Sequence, residues 1–200
     1  MKSPHELILA STSKYRRELV SRFGIPFQVE APLTDETPQP GERAANLVTR
    51  LARAKARAVG ERHPGAWVIG SDQLAARVDQ ADGERILGKP GNRTTCIEQL
   101  KGCSGQTLSF LTAVAVYRHQ DEALHEFTDT TRVMFRPLQI DAIERYVDRE
   151  QPFDCAGGFK SEALGITLFE SITSTDPSAL IGLPLIRLAA VLRLVGFQLP

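Results

Sequence analysis

Short apolar runs and helical stripes alternate along this chain. The run Leu7 to Ser11 reads as a buried strand leading into a helix from about Ser13 to Phe23 that stops at Gly24, and a short strand, FQVEA, follows. Leu47, Val48, Leu51, Ala54 and Ala58 form the apolar stripe of a long helix from about Glu42 to Val59. The apolar strand AWVIGSD comes next, continued by QLAARV up to a turn at Ala81, Asp82 and Gly83. A helix near Thr94 to Lys101 precedes two long strands, TLSFLTAVAVYRH and EFTDTTRVMFRP, which the polar turn QDEA joins as a hairpin. A helix from about Ile140 to Arg149, a loop AGGFKSE, a strand-like GITLFESI and an amphipathic helix LPLIRLAAVLRLVG complete the pattern. These elements predict an α/β fold with a mixed parallel and antiparallel sheet flanked by helices.

Composition narrows the class. Two hundred residues with 42% hydrophobic content suit one globular domain over 1–200, with room for two lobes; the proline-rich segment APLTDETPQPGE reads as a loop and not a boundary. Lysine plus arginine equal aspartate plus glutamate at 24 each, so no global field is present to hold a nucleic acid or an acidic membrane. A small anionic substrate needs only a few local cations. Cys96, Cys103 and Cys155 are an odd set without CxxC spacing, which suits free thiols in a reducing cytosol. His5, His63, His119 and His125 show no HExxH or other pair at helical spacing, and no apolar run is long enough for a signal peptide or a membrane span.

Several charges sit where periodicity does not expect them. Arg16 and Arg17 lie in the first turn of the Ser13 helix, where the macrodipole disfavours cations, and Arg16 points between Leu19, Val20 and Phe23. Either its stem packs while its head reaches water, or it meets an anion at the helix N-terminus offered by ILASTS. Lys55 falls inside the stripe of the long helix while Arg50, Arg53 and Arg57 take the solvated face, so it either reaches water at the stripe edge or meets a carboxylate or a phosphate. Asp72 ends an apolar run after small residues, at the kind of strand end where ligands gather in open sheets; Asp35 and Glu36 sit in the irregular loop. A solvated or turn-capping role is the plainer alternative for each carboxylate.

The stretch GERILGKP matches a phosphate loop GxxxxGK[ST] until its last position, where Pro90 stands in place of the magnesium-holding hydroxyl and biases Lys89 away from helix. It is therefore not that loop. Two carboxylates with Arg16, Lys55 and Lys89 nonetheless have the right charges for a magnesium or manganese site that cleaves a phosphoanhydride.

In order along the chain, LILASTSKYRREL, LTDETP, LVTRLARAKA, IGSDQ, ILGKP, CAGGFKSEALGITLFESI and LIGLPL resemble the Maf family of nucleoside triphosphate pyrophosphatases, most closely its 7-methyl-GTP subgroup. The resemblance runs from about Leu7 to Pro184. It implies a Maf and inosine-triphosphate pyrophosphatase-like α/β fold with an elongated mixed sheet and two lobes about a central cleft. It implies too a divalent metal, Mg²⁺ or Mn²⁺, a cytoplasmic location and a homodimer. By motif position Asp72 matches the proton acceptor, Arg16, Lys55 and Lys89 the cations around the triphosphate, with Ser11 beside them, and Glu36 a carboxylate that shares the metal with Asp72. Tyr15, Gln73 and Glu162 match positions of substrate choice; the pyrimidine-preferring subgroup has threonine after the aspartate and glutamine in place of Glu162. Methylation makes the base cationic, which an aromatic face such as Tyr15 would favour, and Glu162 would accept from the guanine donors. Departures are Lys14 in place of a helix-starting proline, Gly158 in place of serine, and a longer segment from Gln80 to Arg85. Two other functions stay open: a nucleotide-binding regulator of cell division, and a pyrophosphatase preferring dTTP and UTP.

Overall fold

A computed structural model describes residues 6–79 and 83–200, so His5, the turn expected at Ala81 to Gly83 and most of the longer segment near Gln80 lie outside or at the edge of the described residues. The order of elements is β1 (Leu7–Ala10), α1 (Lys14–Ser21), β2 (Gln28–Glu30), α2 (Ala44–Gly60), β3 (Trp67–Asp79), β4 (Gly83–Leu87), α3 (Arg93–Cys103), β5 (Thr107–Arg118), β6 (Ala123–Phe135), α4 (Ile140–Glu150), β7 (Phe169–Thr173) and α5 (Leu185–Leu194). β1 pairs in parallel with both β2 and β3, whereas β3 pairs antiparallel with β4 and β6 antiparallel with β7. The strand order is β2-β1-β3-β5-β6-β7, with β4 also on β3. The mixed sheet flanked by helices is the expected α/β class.

The chain divides into two compact units. The first comprises residues up to Asp72, Thr112–Asp129 and Asp176–Pro200. Its core joins Leu7 and Leu9 of β1, Leu19 and Val20 of α1, Ile69 of β3, Val114 and Val116 of β5, and Leu188 and Leu192 of α5. Each strand contributes alternate residues to this face, as the two-residue period requires.

The second unit comprises Gln73–Leu111 and Thr130–Thr175. Four phenylalanines centre it: Phe159 meets Phe110, Phe135 and Phe169 edge-on, with centroids 5.2, 5.6 and 4.8 Å away. That edge-to-face geometry is the one the ring quadrupoles favour. The chain reaches Phe159 through Gly157, whose φ of +76° suits glycine and whose added Cβ would stand 3.2 Å from the Phe110 ring.

Two expectations need correction. GITLFESI is strand only from Phe169; Leu164–Leu168 forms a 3₁₀ turn, because Gly165 packs against the Lys160 carbonyl so closely that a Cβ would lie 2.4 Å from it. The apolar stripe of α2 is also rotated from the one expected. Val48, Ala52, Lys55, Ala56 and Val59 are buried, while Ala54 and Ala58 are half-buried. Small alanines score as apolar wherever they lie, so they blurred the centre of the stripe.

Candidate active site

β1 runs out at Ala10 into Ser11, which is buried and whose Oγ accepts from the Ser13 amide at 3.1 Å. Ser13 then caps α1, its Oγ accepting from the Arg16 amide at 3.4 Å. The first turn of α1 carries no acidic residue. Arg16 is half-buried there and does not simply reach water: its Nε donates to the Gly182 carbonyl at 3.2 Å. Burial lowers the pKa of its guanidinium, opposed by the negative charges of Asp72 and Glu36.

β3 and α2 place the rest. Gly70 lies so close to α2 that an added Cβ would stand 2.2 Å from the Ala52 carbonyl oxygen and 2.5 Å from the Ala56 nitrogen. This approach, open only to glycine, sets Asp72 two residues on within reach of Lys55 on the same helix. Lys55 Nζ is 2.7 Å from Asp72 Oδ1 and 2.7 Å from Glu36 Oε1. Lys55 is 5% exposed and Asp72 6%, so this pair is removed from water, whereas the side chain of Glu36 is 57% exposed and closes the cluster from the loop. Of the alternatives open for Lys55, the carboxylate partner is the one found. Burial pushes the carboxyl of Asp72 above its ordinary range, and the nearby Lys55 and Arg16 work against that rise. The neighbouring carboxylate Asp35 has the plainer role, accepting from the Thr37 amide at 2.9 Å in a turn.

Thus Ser11, Arg16, Glu36, Lys55 and Asp72 all belong to the first unit, and four of them form one electrostatic cluster. Tyr15 is half-buried in the same unit, with Lys14 Nζ 4.9 Å from its ring centroid. Gln73, Lys89 and Glu162 belong to the second unit. Gln73 is half-buried on β3, and Glu162 is exposed and accepts from Ser161 Oγ at 3.3 Å. Lys89 is exposed in a non-helical GKP segment. Gly88 offers its carbonyl to Gln99 Nε2 at 3.3 Å, Pro90 is buried, and α3 begins only after Asn92, whose side chain accepts from the Thr95 amide at 2.9 Å. The helix that a phosphate loop would start at position 90 is absent.

Sequence reasoning missed Gly70, Ser71 and Gly182. Ser71 is buried and its Oγ donates to the same Gly182 carbonyl, also at 3.2 Å. The small residues in IGSD and LIGLPL were the visible signal, but a main-chain acceptor leaves no side chain to read.

Glu36 and Asp72 are oxygen donors on either side of one ammonium, a set whose chemistry suits a hard divalent cation. Among the described residues no group of three or more His, Cys, Asp or Glu side chains is gathered to hold one. Among the described residues, too, no helix is long and apolar enough to cross a membrane.

Comparison with known proteins identifies the family of the chain. The model of the Maf-like proteins matches residues 6–195. The chain is similar to a 7-methyl-GTP pyrophosphatase of Aromatoleum aromaticum, 52% identical over 98% of this chain and 98% of that protein. It is likewise similar to a 7-methyl-GTP pyrophosphatase of Xanthomonas oryzae pv. oryzae, 53% identical over 97% of this chain and 98% of that protein. The solved structure of the Staphylococcus aureus Ham1 protein overlaps at a TM-score of 0.45 with 15% identity, over 65% of this chain and 71% of that one, too slight a likeness to build on. A family match across residues 6–195, with relatives identical at half of all positions end to end, leaves one assignment: the chain belongs to the Maf family.

Proposed function

We infer that this chain is a nucleoside triphosphate pyrophosphatase that hydrolyses 7-methyl-GTP to 7-methyl-GMP and pyrophosphate, removing a modified nucleotide from the pool. The observation that carries this reading is the end-to-end identity with proteins of that name, 52% over 98% of the chain in one case. The buried Lys55 and Asp72 pair beside Arg16 supports the chemistry.

Asp72 accepts a proton from the water that attacks the α-phosphorus. The new bond joins that water oxygen to phosphorus, the α-β bridging bond breaks, and pyrophosphate leaves. Arg16 and Lys55 offset the charge that grows on the leaving group, the electrostatic effect that dominates phosphoryl transfer, and Lys89 is assigned to the same role on the family's motif alone. Ser11, at the N-terminus of α1, lies where amides and hydroxyls favour an anion. Glu36 and Asp72 would hold Mg²⁺ or Mn²⁺, which when bound supplies positive charge against the triphosphate oxygens. Tyr15, Gln73 and Glu162 are assigned to the base, with the Tyr15 ring facing the cationic 7-methylguanine. The enzyme works in the cytoplasm on free nucleotides, needs neither nucleic acid nor membrane, and pairs as a homodimer.

The test is pyrophosphate release with Mg²⁺ or Mn²⁺ from 7-methyl-GTP, GTP, dTTP, UTP and ITP, by wild type and Asp72→Asn. Fast release from 7-methyl-GTP that Asp72→Asn abolishes is the expected result. Release confined to dTTP and UTP would overturn the base assignment. Tight binding without release would make the chain a nucleotide-binding regulator instead.

A further inference from the structure

The segment LIGLPL marks the family resemblance, yet none of its residues has a role in the chemistry above. It closes a turn, residues 176–182, that is held from several sides within the first unit. Asp176 is 3% exposed, and its Oδ1 accepts from the Ser178 amide at 2.9 Å and from the Ser178 hydroxyl. Its Oδ2 accepts from the Ile186 amide at 2.7 Å. Ser178 Oγ in turn accepts from the Leu185 amide at 2.9 Å, so these two side chains satisfy the first free amides of α5, which Pro184 precedes without a side-chain cap. Midway along the turn, the Ala179 carbonyl accepts from the buried Thr112 Oγ1 at 3.0 Å. Backbone hydrogen bonds from Ala179 to Asp176, from Ile181 to Ser178 and from Gly182 to Ala179 wind it tightly.

Gly182 is the end of this construction. Its φ of +135° is open only to glycine, and an added Cβ would stand 3.4 Å from Arg16 Cγ. Its carbonyl receives Arg16 Nε and Ser71 Oγ, each at 3.2 Å, so one fixed oxygen touches both the triphosphate arginine and the residue before Asp72. An arginine side chain without such a tether spends its rotamer entropy on binding substrate; one held by a main-chain acceptor has its outer nitrogens already aimed. We propose that Asp176 is a positioning residue: through Ser178 and the start of α5 it fixes the Gly182 carbonyl, which orients Arg16 toward the phosphates. This rests on Arg16 contacting the triphosphate, as the proposed function has it.

The experiment is a double-mutant cycle on kcat/KM for 7-methyl-GTP and GTP. Asp176→Asn keeps the shape, but an amide can accept at only one of its two ends, so either Ile186 or Ser178 loses its acceptor. Arg16→Lys keeps the charge and removes the Nε–H that Gly182 receives. Asp176→Asn alone should lower kcat/KM about five- to tenfold, by the same factor for both nucleotides, because the arginine faces the phosphates common to them. In the Arg16→Lys background the same substitution should lower it no further. A purely structural role would give equal losses in both backgrounds, and that additivity would overturn the proposal, as would an Asp176→Asn enzyme equal to wild type. Should Arg16→Lys itself match wild type, the assignment of Arg16 to the triphosphate fails and the clamp with it, a result distinct from additivity. If Asp176→Asn does not fold, Ser178→Ala, which removes only the hydroxyl, enters the same cycle with the same expected outcomes.

Discussion

Each unit of the molecule holds a lysine paired with a carboxylate, and the two pairs are used differently. In the second unit Lys160 donates to Glu150 Oε1 at 3.2 Å and to the Glu150 carbonyl at 3.0 Å, while Glu150 Oε2 takes the Leu164 amide at 3.2 Å. Both carboxylate oxygens and the ammonium are committed to tying the end of α4 to the turn after it. In the first unit Lys55 bridges Asp72 and Glu36, and Asp72 Oδ2 takes no hydrogen bond from a described residue. Both pairs screen a partly or fully buried charge, but only the first leaves acceptor capacity unspent. A carboxylate whose oxygens are consumed by the backbone is a fastener; one buried with an oxygen to spare retains the capacity to take a proton or share a cation.

Asp72→Asn probes that difference most directly. It keeps the volume and removes the proton acceptor, so kcat for pyrophosphate release should fall by about 10²–10⁴ while far-UV circular dichroism stays that of wild type. Retained turnover in a folded Asp72→Asn protein would place the base elsewhere. Gly70→Ala should damage both stability and activity, because its Cβ meets the α2 backbone itself and not a movable side chain. A loss of about 3 kcal/mol in urea unfolding is expected, with kcat falling as β3 moves from α2 and Asp72 from Lys55. Lys160→Met is the converse. It should cost about 1–3 kcal/mol of stability by leaving Glu150 without its ammonium, with kcat near that of wild type at a temperature where the variant is folded. If Lys160→Met instead lowered kcat without changing the unfolding midpoint, the distinction between fastener and acceptor would collapse.

How far the chain could be read in advance follows the same division. Periodicity located the helices and the longer strands, because buried strands such as Leu7–Ala10 and Trp67–Asp79 and the striped helix α2 carry dense local signals, but it passed over β4, whose GERIL has too few apolar residues to show a strand period. Lys55 stood out because a lysine inside an apolar stripe conflicts with its surroundings, and Arg16 because a cation opposes the dipole of its helix. Hidden from sequence was whatever depends on backbone proximity: the contact of Gly70 with α2, the carbonyl of Gly182, and the short 3₁₀ turn that replaced the first half of GITLFESI. Tyr15, Gln73 and Glu162 carry no such conflict with their local pattern, so only the family motif singles them out, and Lys89 has beside that motif only its near match to a phosphate loop.

Acid titration separates the committed carboxylates from the open one by sign. Arg50 holds Glu42 down to about 2, so the stability that contact contributes is present above the ordinary glutamate value and is lost as pH falls from there toward 2. Asp72 is raised, chiefly by burial, so the folded protein holds that proton more firmly than the unfolded chain. Its contribution runs the other way, with stability falling as pH rises from 3.8 through the folded value. Thermal melts with a chelator present, from pH 2 to 7, should therefore show a shallower acid loss in Glu42→Gln than in wild type, and a steeper one in Asp72→Asn. Equal slopes in Asp72→Asn and wild type would mean that Asp72 is not raised.

The smallest effect concerns the thiols. Burial pushes Cys96 up to about 11 and Cys103 up to about 12, so at pH 8 fewer than about one in a hundred of either is thiolate, the form that reacts. Cys155 is only half-buried. A disulfide reagent at pH 8 should thus label one thiol per chain quickly, lost in Cys155→Ser, and the other two only as the protein unfolds. Rapid labelling of all three in the folded protein would mean that the second unit opens on that timescale, and its Glu150–Lys160 pair would then be a weaker fastener than its hydrogen bonds imply.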